Sequence, residues 1–65
     1  MDDKKRLSIV IDHWIEHNQS HIAEYKKWAE RAETLGLVFV MNEIENAIEK
    51  LTQCNNCLKN ALKSL

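Results

Sequence analysis

The sequence predicts an all-α fold, an antiparallel helical hairpin that dimerises into a four-helix bundle, and three observations carry that expectation. The 65 residues contain no proline and one glycine, too few turn formers for a sheet of several strands. Apolar residues recur at alternating steps of four and three on both sides of Gly36, the spacing that keeps side chains on one helical stripe. A chain of this length also rarely buries enough apolar surface to stand alone.

The first arm reads as a helix over about 4–34, its stripe running through Leu7, Ile11, Trp14, Asn18, His21, Tyr25, Trp28, Ala32 and Leu35. Residues 1 to about 4 are charged and expected to fray. Gly36 stands where a helix C-cap glycine falls, so the turn is placed at about 35–37. The run Leu37 to Met41 could by itself be a strand. It has no partner strand, and is expected instead to open a second helix over about 38–64, with its stripe at Leu37, Met41, Ile44, Ile48, Leu51, Asn55, Leu58, Leu62 and Leu65. A parallel row at Val40, Ala47, Cys54 and Ala61 widens this face beyond what one neighbour covers. Pairing two hairpins about a two-fold axis is the economical way to cover it, and makes residues 1–65 one domain of a homodimer.

Composition narrows the function. Nine Lys and Arg against ten Asp and Glu give a net charge of −1, which leaves no basic excess for nucleic acid or an anionic membrane. No apolar run approaches a membrane span and no signal-type block follows the N-terminus, so a cytoplasmic location is expected. Two narrow helices per chain offer little concave surface for catalysis, and no enzyme activity is expected.

All three histidines, His13, His17 and His21, lie in the first arm at steps of four. Side chains at i and i+4 project together about 6 Å apart, so adjacent imidazoles can grip one metal ion. His13 and His21 are two turns apart, about 12 Å, and a full ligand set must draw on another chain, the other arm or water. A two-fold axis near this stripe would bring together His13 and His17 from both chains, with His21 as an additional or alternative ligand. Imidazole suits Ni(II), Zn(II) and Cu(II) alike. Trp14 reads as a core aromatic or a lid over the metal, and Glu16, Ser20 and Glu24 are candidates to orient ring N–H groups.

The string His13-Trp14-Ile15-Glu16-His17-Asn18-Gln19-Ser20-His21 resembles the His-Trp-x-x-His-x-x-x-His motif of the nickel-binding helical-hairpin family of CooJ, the nickel accessory protein of carbon monoxide dehydrogenase. The resemblance implies a hairpin homodimer that binds Ni(II) at its interface, with His13, Trp14, His17 and His21 as the nickel motif, a chaperone or homeostasis role and a nickel-enzyme client. The chain departs from that family in having no histidine after His21.

Two rival readings stand beside this one. Cys54-x-x-Cys57 with His17 and either His13 or His21 would make a Cys₂His₂ zinc site, although Cys54 also reads as a small buried residue and Cys57 as flanking. Alternatively, the bundle is a protein-interaction module whose histidines are incidental. Asn18 and Asn55 interrupt the two stripes at similar heights, and are expected to hydrogen-bond and fix the register of the arms.

Overall fold

In the computed structural model, which describes residues 2–65, the chain folds into two antiparallel helices, α1 (Asp3–Thr34) and α2 (Val38–Lys63), packed along their length. The hairpin measures 51 × 16 × 11 Å. The residues expected to fray are instead capped from Asp2 onward, while Met1 lies outside the described residues. The Asp2 carboxylate accepts from the Lys5 backbone N–H at 2.8 Å, satisfying one of the unpaired donors of the first turn, and Asp3 adds a favourable charge there.

α1 ends because Gly36 adopts φ +75°, a left-handed conformation costly to any residue with a Cβ. The Gly36 N–H then donates to the Glu33 carbonyl at 2.9 Å, and the Leu37 N–H donates to the Ala32 carbonyl at 2.9 Å. This pair of bonds is the Schellman closure of a helix C-terminus. α2 starts without a side-chain cap or an acidic residue in its first turn.

The seam between the helices is narrow. α1 contributes Ile11, Ile15, Ala29 and Ala32, all buried, and half-buried Ser8, Asn18, Ile22 and Tyr25 between them. α2 faces it with Met41, Ile44, Ile48, Leu51, Asn55, Leu58 and Leu62, the expected stripe less its two ends, Leu37 and Leu65, which are exposed. In α1 the seam differs from the expected stripe. Ile11, Asn18, Tyr25 and Ala32 are shared, but the row Leu7, Trp14, Trp28 and Leu35 is exposed, and Ser8, Ile15, Ile22 and Ala29 take its place. Small residues such as Ser8 and Ala29 allow helices to approach to the usual 8–10 Å, where a tryptophan would wedge them apart.

Asn55 is buried, with its polar atoms satisfied. Its Nδ2 donates to the Ile15 carbonyl at 3.2 Å and its Oδ1 accepts from Asn18 Nδ2 at 2.8 Å. The expected cross-seam pair therefore forms, and pins the backbone of α1 as well. A slip in register would leave these groups buried without partners, which costs about 1–3 kcal/mol per group.

On each helix one apolar row remains uncovered beside the seam. On α1 it contains Trp14 and Trp28, about half exposed; on α2 it is Val40, Ala47, Cys54 and Ala61, all exposed. The rows lie on the same side of the hairpin, because each precedes the seam centre by about a quarter-turn in its right-handed helix and the two helices run in opposite directions. Asn18 marks that side, its Nδ2 3.9 Å from Cys54 Sγ.

Candidate metal centre

The histidine stripe does not run parallel to the helix axis. Each step of four residues advances about 40° around a helix of 3.6 residues per turn, so the three rings move progressively toward the seam. His13 and His17 are exposed and His21 is half-buried. His21 lies in the uncovered row midway between Trp14 and Trp28.

The closest convergence is between His17 and His21, whose Nε2 atoms lie 3.0 Å apart, with ring planes crossed at 80° and centroids 4.5 Å apart. His13 is set back, its ring stacked toward that of His17 at a centroid distance of 6.4 Å. On the other side His21 leans toward Tyr25, with centroids 6.0 Å apart.

A 3.0 Å separation between two ring nitrogens admits two chemistries. With one ring carrying its proton on Nε2, it is an N–H···N hydrogen bond. With both nitrogens bare, two lone pairs converge on a common point. Nitrogens bound at about 2.0–2.1 Å from one ion stand about 2.9 Å apart when they subtend a right angle, and about 3.4 Å apart at the tetrahedral angle. The observed 3.0 Å lies within this range, so the pair could hold an ion that imidazole binds. The donor set thus fits a nitrogen-ligated transition metal.

Two nitrogens are half or less of a ligand set. Among the described residues, no group of three or more His, Cys, Asp and Glu side chains is gathered closely enough to hold an ion. Cys54 and Cys57 are free and exposed, and one chain does not assemble them with the histidines into a Cys₂His₂ site. Between them stands Asn18, which contacts Cys54 and bonds Asn55. Cys54, read as a candidate core residue, lies outside the core.

Trp14 is 48% exposed and is not part of the hairpin core. It stands one helical step from His17 and Asn18, on the same side of the hairpin as the uncovered row of α2. Glu16, Ser20 and Glu24 are exposed, and among the described residues none hydrogen-bonds a histidine ring. Sequence reasoning missed the exposed apolar tip, where Leu35, Leu37, Val38, Phe39 and Val40 surround the turn and Phe39 is 76% exposed. The signal was the unbroken apolar run itself.

Among the described residues no helix is long and apolar enough to cross a membrane. Neither the curated proteins nor the solved structures contain a match to this chain. Residues 7–65, covering both helices and the whole histidine stripe, match the family described as a domain of unknown function, DUF8180, and the chain belongs to that family.

Proposed function

We propose that this chain is a homodimeric nickel-binding protein in which two hairpins form a four-helix bundle and hold Ni(II) through histidines contributed by both. The observation that carries this reading is the 3.0 Å approach of His17 Nε2 to His21 Nε2. His17 and His21 form the chelating pair of each chain, and His13 is an outer ligand. Each pair supplies only two nitrogens, and the second chain adds the further ligands that Ni(II) needs. Trp14 shields the ion from water, and Glu16, Ser20 or Glu24 orients a ring N–H.

A role in nickel delivery or homeostasis in the cytoplasm, with a nickel enzyme as client, follows from the motif resemblance. Zn(II) and Cu(II) are the competing ions, and raw affinity favours Cu(II). The test is calorimetric titration of metal-free protein with Ni(II) near neutral pH. Saturable binding that His17→Ala weakens a hundredfold or more supports the proposal, and absence of heat, or an unchanged His17→Ala isotherm, ends it.

A second reading is favoured by the apolar tip. Five exposed apolar side chains around the turn suit a module that docks on another protein. Replacing His13, His17 and His21 together by alanine separates the two, because the docking module keeps its partner and the metal protein loses its ion.

A further inference from the structure

The uncovered row of α1 reads Leu7, Trp14, His21, Trp28, Leu35, one residue per heptad, and it reads the same in both directions. From this we infer that the face is covered by a second copy of the chain running antiparallel, with the two-fold axis passing beside His21. The inference rests on the dimeric part of the reading above and adds its geometry.

Four of the five row positions are large apolar side chains between 46% and 67% exposed, and the fifth is the half-buried His21. An axis through the level of His21 sets Trp14 of one chain opposite Trp28 of the partner subunit, and Leu7 opposite Leu35 of the partner subunit. Tryptophan then packs on tryptophan and leucine on leucine at both ends, while the polar centre meets itself. A parallel arrangement lacks this logic, since every residue would meet its own copy and the palindrome would serve nothing.

Charge points the same way. Residues 1–19 and 53–65, the half near the termini, carry five Lys and Arg against four Asp and Glu. Residues 20–52, the half near the turn, carry four against six. Antiparallel pairing sets the acidic half of each chain beside the basic half of the other, whereas parallel pairing stacks like on like. The α2 side of the face is small at mid-height, with Ala47 and Cys54, which permits close approach there.

The two-fold axis also completes the metal centre. His21 lies at the axis, so its copy is adjacent, and His17 of each chain falls at nearly the height of Glu24 of the partner subunit, about 1.5 Å away along the helix. Neither carboxylate serves a histidine within its own chain, and each is delivered to the other. The site is incomplete without the second copy.

Spin-label distances on the full chain test this. Thr34→Cys, near the turn and exposed, is labelled in a Cys54→Ser, Cys57→Ser background, all three positions being exposed. Pulsed dipolar spectroscopy is run beside light scattering at 100 µM with and without Ni(II). The antiparallel dimer gives a mass of two chains and a label separation of roughly 40 Å, from 13 residues on either side of the axis at about 1.5 Å each. Lys4→Cys, with roughly 50 Å expected on the same count, replaces Thr34→Cys if that variant loses helicity. A dimer with labels at roughly 20–25 Å, the width of a bundle, overturns the antiparallel arrangement and leaves the dimeric reading standing. A mass of one chain overturns both. The long distance with no calorimetric heat for Ni(II) supports the pairing while removing the nickel reading.

Discussion

At the residue scale, His17 is the side chain on which the proposed chemistry turns, because it faces His21 on one side and His13 on the other. Only the neutral ring ligates, so protons compete with the ion. Apparent Ni(II) affinity is expected to fall as the pH is lowered, and the slope in a calorimetric pH series counts the protons displaced and hence the ligating histidines. His21→Ala is expected to cost more affinity than His13→Ala, since only His21 brings a nitrogen to 3.0 Å from His17. Equal losses would indicate that the rings rearrange around the ion. Asn55 plays the structural counterpart across the seam. Asn55→Ala removes two hydrogen bonds and strands the Asn18 amide, so chemical denaturation is expected to show a loss of about 1–3 kcal/mol. Leucine at both Asn18 and Asn55 is expected to raise stability while loosening register, read as broadened amide spectra.

At the scale of elements, the turn and the seam respond differently to substitution. A Cβ on Gly36 would meet nothing within 4 Å, so the cost of Gly36→Ala is confined to its positive φ and is expected to be about 1–2 kcal/mol by thermal unfolding. Ile15→Ala instead opens the seam, and about 2–4 kcal/mol is expected. α2 was legible in the sequence almost residue by residue, because only one of its apolar rows contains the large aliphatic side chains. α1 was not, since two rows one position apart share Ile11, Asn18, Tyr25 and Ala32, and bulk favours the row with the tryptophans. The seam prefers the row with Ser8 and Ala29, whose small side chains permit close packing. For the site, the sequence showed that the histidines share a stripe. Which two would converge depends on a drift of 40° per step relative to the seam, and so on knowing which row faces α2.

For the whole molecule, the single hairpin is thinly held, with Ile11, Ile15, Ala29 and Ala32 as its buried apolar residues. Covering Trp14 and Trp28 by a second chain should shift tryptophan emission to shorter wavelength as protein concentration rises, and a spectrum unchanged on dilution from 100 µM to 1 µM would mean that the tryptophans stay wet or that assembly is tighter than that range. So sparse an interior also bears on lifetime. A solitary chain opens readily, and its amides are expected to exchange quickly and its backbone to be cut by proteases that act on the opened form. On the proposed function, an ion bridging two chains would slow both processes by mass action, and the abundance of the protein would then follow the supply of that ion without a separate sensor.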